Sequence, residues 1–545
     1  MPASKNQNYL HGAVILTAAV VIIKILGAIY KIPMGNILTD EGFAHFNVAY
    51  NLYNVLLTLS TAGLPIALAK LISEANSLNK PLQIKRTFKV AMTAFVVLGI
   101  VGTVVMLMFP TELAAFMMDV EASQSVFAMA PAVILVCIMS AFRGYTQGLS
   151  DMRPTSISQI IEVAVKVVFG LAVVLILQSR GASLPLLSAG AISGVAVGSL
   201  AACIYMGVVA KKRMKAEAAR AGEVSPERQD ISDSKSVILK RLVRIGVPIA
   251  LGSSVLSIIT LVNTKLVLGQ LQNAAGFTYD EAKVLFGVYS KALTLYNLPA
   301  ALITPLTISI VPAIAGFIAK KQFSEAKDVI ESSLRISTII ALPMAIGLSV
   351  LSAPIMDALY YGSAGQGAEL LAIMGIASFF VCLSLMTTAI LQAGGRERLP
   401  MYTMLIGGSL NIVLNWLLVG NPNINIYGAP IGTLICYVVM GGLNLWFVIK
   451  KLPERPRFGR IFIKPFINCL VMGAVAWLIY PAVLELIGAG AQPDRLCVLL
   501  ALGVAVAVAA LCYLVLTVIT KAITMDDMLL IPKGEKLAKL LRVKE

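Results

Sequence analysis

The sequence predicts an all-α integral membrane protein with about fourteen transmembrane helices, built as two pseudo-symmetric six-helix halves plus two C-terminal helices. Three observations predict it: the composition, the recurrence of apolar runs long enough to cross a bilayer, and the alternation of basic residues between successive loops. Of 545 residues, 58% are hydrophobic and only 13% charged, and the mean hydropathy is +0.86. A soluble domain carries roughly 25% charged residues and has no means of hiding so much apolar surface.

Apolar runs of about 20 residues, the length a helix needs to cross about 30 Å of hydrocarbon, recur from end to end. The expected spans are His11 to Ile32, Ala44 to Ile72, Thr87 to Phe109, Val126 to Leu149, Thr155 to Gln178 and Pro185 to Ala210. After a polar stretch come Leu242 to Leu268, Lys283 to Pro312, Ser333 to Leu351, Gly367 to Leu391, Met401 to Val419, Ile426 to Ile449, Phe462 to Leu484 and Leu496 to Thr520. The first run is too long for a signal sequence and lacks a cleavage site, so it reads as a retained helix.

Basic residues test this assignment, because cytoplasmic loops collect Lys and Arg. Alternate loops are rich in them, whereas the intervening ones carry Arg180, Lys283 and Arg495. Both termini are therefore expected in the cytoplasm. The stretch Lys211 to Ser236 is the longest polar segment and divides the chain into an N-terminal half (1–210), a cytoplasmic linker (211–236), a C-terminal half (237–450), two extra spans (451–520) and a cytoplasmic tail (521–545). A weak internal repeat accords with that division: Gly63-Leu64-Pro65 answers Asn297-Leu298-Pro299, and Gln147-Gly148 before Pro154 answers Gln392-Ala393-Gly394 before Pro400.

Several function classes fall away. The net charge of +16 is spread over alternate loops and not gathered on one face, which argues against nucleic acid. The cysteines Cys137, Cys203, Cys382, Cys436, Cys469, Cys497 and Cys512 lie in or beside apolar runs without CxxC spacing, and read as packing residues. His11 and His45 are the only histidines, so neither a metal centre nor a His-based catalytic triad is expected, and no cofactor. A membrane glycosyltransferase would need catalytic acids at a membrane face; Asp40, Glu41, Glu112, Asp119, Glu121, Asp280 and Glu281 are present but form no recognisable pattern.

Polar residues inside the spans carry the positive signal, since a polar group facing lipid is costly. Asn47, Asn51, Asn54, Thr58 and Thr61 step by four and three along one face of the second span. Ser253, Ser257, Thr260 and Thr264 do so in the seventh, and Ser290, Thr294, Asn297 and Thr304 in the eighth. These stripes point either to a shared hydrated cavity or to interhelical hydrogen bonding.

Lys24 lies near the middle of the first span, where a charge costs about 2.5–3.5 kcal/mol, and Lys31 shares its face. Lys265 and Lys291 add cations on the striped spans, either lining the cavity or snorkelling to the surface. Glu162 and Lys166 stand at i and i+4 in the order that favours an intrahelical pair. Arg143, beside Gln147, reads either as a structural or gating residue or as a positive-inside anchor.

The segments Phe142-Arg143-Gly144-Tyr145-Thr146-Gln147-Gly148, Met152-Arg153-Pro154-Thr155 and Ser158-Gln159-Ile160-Ile161-Glu162 resemble the polysaccharide-transporter branch of the MOP exporter superfamily. So do Gly63-Leu64-Pro65-Ile66-Ala67-Leu68-Ala69-Lys70, Asn297-Leu298-Pro299 and Leu391-Gln392-Ala393-Gly394, and the likeness is greatest to the Gram-positive group of lipid II flippases and stage V sporulation protein B. The resemblance implies a fourteen-helix flippase for an undecaprenyl-pyrophosphate-linked saccharide, with lipid II the leading candidate. It implies that spans one, two, seven and eight line a cationic cavity and that the last two spans shape a groove for the lipid tail. Lys24, before Ile25-Leu26-Gly27, matches an arginine of the family's R-x-L-G pattern, and Tyr30 stands where a second cavity arginine is often found.

The expected function is therefore non-enzymatic transport by alternating access in a bacterial cytoplasmic membrane. The expected cavity residues are Lys24, Lys31, Asn51, Asn54, Thr58, Lys265, Lys291 and Asn297, with structural or gating roles for Arg143, Gln147, Glu162 and Lys166. The partners are the lipid-linked saccharide, membrane lipids and proteins of cell-wall synthesis, and the chain is read as a monomer. The alternatives are another polysaccharide repeat unit as cargo, or a multidrug and toxin extruder. Such an extruder commonly has twelve helices and a coupling aspartate where this chain has Lys24.

Overall fold

The computed structural model describes residues 22–23, 26–27, 29–222, 233–360, 363–451, 459–488 and 493–523. Most of the first expected span, with Lys24, lies outside the described residues. Every regular element among the described residues is helical: α1 (Thr39–Ala62), α2 (Leu64–Ser77), α3 (Pro81–Met108), α4 (Pro110–Phe116), α5 (Ser123–Gly148), α6 (Arg153–Ser179), α7 (Leu184–Gly222), α8 (Lys235–Asn273) and α9 (Tyr279–Tyr296). Then follow α10 (Leu298–Ala319), α11 (Phe323–Val350), α12 (Ser352–Leu359), α13 (Ala364–Ala393), α14 (Arg398–Val419), α15 (Gly428–Lys451), α16 (Lys464–Leu486) and α17 (Arg495–Ile519). Thirteen spans among the described residues are long and apolar enough to cross a membrane, and they correspond one to one with the thirteen expected after His11 to Ile32.

Two of these spans are broken, both at repeat motifs. Thr39–Ser77 is interrupted between α1 and α2 at Gly63-Leu64-Pro65, and Tyr279–Ile318 between α9 and α10 at Asn297-Leu298-Pro299. Proline lacks a backbone N–H and its ring crowds the carbonyl four residues back, and at both breaks the helix restarts with Pro in its first turn, where neither defect costs a hydrogen bond. A different joint precedes α1. Helical backbone over residues 29–37 bends at Leu38, and Thr39, a β-branched residue, sits at φ +61°.

The polar stretch after the sixth span departs from a simple linker, because α7 continues to Gly222. Lys, Arg, Met, Ala and Glu dominate Lys211-Lys212-Arg213-Met214-Lys215-Ala216-Glu217-Ala218-Ala219-Arg220, and all are strong helix formers, so the helix runs past its apolar segment.

The chain divides into two compact units, Met1–Gly269 with Thr278–Gly287, and Gln270–Phe277 with Val288–Glu545. The first is built around Leu68, Leu71, Ile72, Phe88, Phe95 and Tyr145, with the Phe88 and Tyr145 rings 4.9 Å apart. In the second, Ile303, Ile330, Leu334, Met386 and Ile390 form one core. Leu342, Cys469, Met472 and Tyr513 form another, docking α16 and α17 on α11. All seven cysteines are free, and four of them are buried. Large apolar side chains such as Val168, Ile204, Trp477 and Ile519 are exposed on the outside, where lipid and not protein is their solvent.

Candidate transport site

The two motifs with the greatest family likeness in the first unit pack on each other. A Cβ on Gly144 would stand 2.9 Å from the Pro65 carbonyl oxygen, and one on Gly148 2.7 Å from Ile72 Cβ, so α5 and α2 meet at contact distances that only glycine permits. This seats Arg143 beside α6. Its guanidinium donates to Ser158 Oγ at 2.9 Å and to Glu162 Oε2 at 2.9 Å, and Ser199 of α7 donates to the other Glu162 oxygen at 3.3 Å. Gln147 donates to Thr155 Oγ1 at 3.4 Å.

The intrahelical pair expected of Glu162 and Lys166 is thus replaced by an ion pair between helices. A planar guanidinium already seated among Ser158 and Glu162 offers two directed hydrogen bonds, whereas a lysine one turn along offers a single flexible contact. Lys166 instead lies 5.5 Å from the centroid of the Tyr30 ring and 6.0 Å from that of Tyr50. Lys31 approaches Tyr50 from its own segment at 5.4 Å. Tyr30 is held by a 2.6 Å hydrogen bond to the Ala191 carbonyl. Two ammonium groups from different helices therefore converge on the face of one tyrosine, within the range of cation–π attraction.

Below Tyr50 the polar stripe of α1 runs to α8. Asn51 Nδ2 donates to Thr264 Oγ1 at 3.0 Å, and Thr58 Oγ1 and Ser257 Oγ are 2.8 Å apart. The stripes of the second and seventh spans thus hydrogen-bond directly to one another, and Asn54, on the same stripe of α1, is half-buried. Lys265, next to Thr264, lies 3.5 Å from the centroid of Phe116.

The second unit holds the remaining expected residues. Lys291 does not snorkel: it is 1% exposed, donates to Ser363 Oγ at 2.9 Å and lies 5.5 Å from the Tyr360 ring. Asn297 is exposed and its amide bonds its own helix, at Leu293 O.

Sequence reasoning missed Tyr50, whose position on the α1 stripe one residue before Asn51 was the available signal. It also missed a buried ionic group in the first unit. His45 and Asp119 pair at 2.7 Å, and Lys283 bonds Glu41 at 2.7 Å and also Glu121. The sequence alone places Lys283 in an outer loop among unpatterned acids, because its partners are far away along the chain.

The family model described as "Polysaccharide biosynthesis protein" matches residues 9–318, and the model "MatE" matches residues 283–417. The chain is 28% identical over 541 residues to the uncharacterized membrane protein YabM of Bacillus subtilis (strain 168), covering 98% of this chain and 97% of that one. It is 25% identical over 533 residues to stage V sporulation protein B of the same organism (97% and 98% covered) and 23% identical over 484 residues to its lipid II flippase MurJ (86% and 87% covered). Among solved structures, the lipid II flippase MurJ in an inward closed conformation superposes with TM-score 0.67 at 15% identity, over 93% of this chain and 98% of that one. An inward-facing multidrug resistance MATE family transporter of the MOP superfamily superposes with TM-score 0.61 at 14% identity, over 80% of this chain and 94% of that one. These likenesses establish the fold, and the match over residues 9–318 establishes the family. An all-α, multi-pass membrane protein with the fold of the MurJ and MATE transporters, this chain belongs to the polysaccharide biosynthesis protein family.

Proposed function

We propose that this protein is a flippase that carries an undecaprenyl-pyrophosphate-linked saccharide, with lipid II the leading cargo, across a bacterial cytoplasmic membrane by alternating access. The observation that carries the proposal is the convergence of Lys31 and Lys166 on Tyr50 beside the polar stripe of α1. Like charges gathered at one place attract a multivalent anion, and the adjoining hydroxyls and amides suit a sugar. Lysine binds phosphate as a compact charge and releases it without dismantling a rigid fork. The names of two relatives, stage V sporulation protein B and lipid II flippase MurJ, support this cargo class.

In this reading the halves are 1–210 and 237–450, joined by the 211–236 linker, and the spans within 451–520 guide the prenyl tail. Both termini are cytoplasmic, the chain acts as a monomer beside cell-wall synthesis proteins, and it performs no chemistry on its cargo. Lys24, outside the described residues, is proposed as a further diphosphate ligand, with Lys265 and Lys291 as additional cations and Asn54, Thr58 and Asn297 on the polar lining.

The match to the MatE model over residues 283–417 favours a second reading, a multidrug extruder. Lysines around Tyr50 would repel a lipophilic cation, which makes charge the discriminating variable. Native mass spectrometry of the purified protein should show retention of an undecaprenyl-pyrophosphate saccharide. Charge reversal of Lys24 and Lys291 together should weaken it far more than reversal of Lys320 and Lys321. Preference for a lipophilic cation over the anionic lipid would sink the flippase reading and leave the extruder.

A further inference from the structure

The ionic group of the first unit has a geometry that transport does not require. His45 and Asp119 are both fully buried, and the imidazole Nδ1 lies 2.7 Å and 2.9 Å from the two Asp119 oxygens. A carboxylate at one ring nitrogen holds the proton there and leaves the lone pair on the other. That other nitrogen, Nε2, is buried, has no hydrogen-bond partner and stands 3.5 Å from Glu121 Oε2. Glu41 completes the group: one ligand atom from each of Glu41, His45 and Glu121 lies within 4.8 Å of the others. Glu41, Glu121 and Lys283 stand at the N-terminal ends of the first, third and seventh of the thirteen spans, and spans an even number apart start at the same membrane face.

We propose that Glu41, His45 and Glu121 form a binding site for a divalent metal ion of the zinc class, with Asp119 as the residue that orients His45 and Lys283 as a built-in competitor for the same carboxylates. A histidine placed only for packing would be satisfied at both nitrogens. Here one is fixed by a buried carboxylate and the other is aimed, unbonded, at two more, which is how a metal-ligating histidine and its supporting carboxylate are arranged. Mixed nitrogen and oxygen ligands select zinc-class ions over Mg²⁺ and Ca²⁺, which take oxygen.

Tetrahedral zinc with ligands at about 2.0–2.2 Å separates them by about 3.4 Å. The gap of 3.5 Å between Nε2 and Glu121 already fits, and Glu41 has only to close in. Both glutamates are partly exposed, at 29% and 46%, which gives the ion a route in and water a place as the remaining ligand. The Lys283 ammonium is bonded to Glu41, Glu121 and Asp280. Four carboxylates against that one ammonium leave negative charge in excess, so a dication is electrostatically favoured, but Lys283 must yield the glutamates for it to bind.

The test uses the full chain, stripped with chelator in detergent micelles. ZnCl₂ is titrated by calorimetry, metal content is measured after desalting, and CoCl₂ binding is followed by visible absorption. One Zn²⁺ per chain is expected, undisturbed by excess Mg²⁺ or Ca²⁺. Glu121→Gln, which removes the charge at a half-exposed position and keeps the side-chain shape, should weaken Zn²⁺ binding by at least about tenfold, and Asp119→Asn by about 10–100-fold. Lys283→Met should tighten it, an outcome that damage to the fold would not produce. Failure of the wild-type chain to hold stoichiometric zinc, equal binding by Glu121→Gln, displacement by Mg²⁺, or weaker binding by Lys283→Met would each overturn the proposal.

Discussion

At the scale of the residue, the proposed function turns on how Lys166 comes to be released from its helical neighbour Glu162. Arg143 takes the Glu162 carboxylate, and Lys166 is left against the Tyr30 and Tyr50 rings. Lys166→Met should therefore weaken binding of the lipid-linked pyrophosphate by about tenfold, the size of one charge-assisted contact of roughly 1.5 kcal/mol, while Lys166→Arg keeps most of it. A thermal-shift measurement on the same samples should find Lys166→Met as stable as the parent. Unchanged lipid binding by the methionine variant would remove Lys166 from the site. The i, i+4 spacing of Glu162 and Lys166 was legible and yet misleading. Spacing along one helix cannot reveal that a guanidinium from the preceding helix, 19 residues earlier, outcompetes the lysine. Similarly, the spacing of Asn51, Asn54 and Thr58 revealed a polar face, but not that its partners are Thr264 and Ser257 on α8.

At the scale of the element, the spans themselves were readable because their apolar length is a purely local property. Their breaks were not: Pro65 and Pro299 mark where two spans restart, but Pro131, Pro248, Pro343 and Pro481 lie inside unbroken helices, so a proline alone does not announce a break. The close packing of α2 on α5 was not readable: Gly144 and Gly148 look like any glycines of a membrane helix until Pro65 and Ile72 are known to face them. Gly148→Val would push a branched side chain into Ile72 and the Ala69 carbonyl. Overpacking of this kind costs about 1–3 kcal/mol, so the variant should unfold several degrees lower in detergent than the parent. A parental melting temperature for Gly148→Val would mean that the helices separate at no cost.

At the scale of the whole molecule, the alternation of basic loops makes a topological prediction. Reporters active only in the cytoplasm should work when fused after Lys211 or at the C-terminus and fail when fused near Asp119. A cytoplasmic signal at Asp119 would invert the arrangement. The membrane fold was legible at this scale because composition and hydropathy are summed over hundreds of residues and tolerate local error. The ionic group around His45 was not, since Lys283 and Glu41 lie 242 residues apart and only the folded first unit brings them to 2.7 Å. Acids scattered among loops carry no periodicity from which such a meeting can be read.

The joint at Thr39 bears on how tightly a cargo can be held. A β-branched residue at φ +61° costs about 1–2 kcal/mol and persists only where its surroundings impose it. The segment carrying Lys31 is thus connected to the helix carrying Tyr50 through one constrained bend, with no flexible loop between them. A loop of free residues would lose about 1–2 kcal/mol of conformational entropy per residue each time a ligand ordered it. Here that ordering is completed when the protein folds, so the loss would not recur at every encounter, and the full attraction of the paired cations would remain for the proposed anionic cargo.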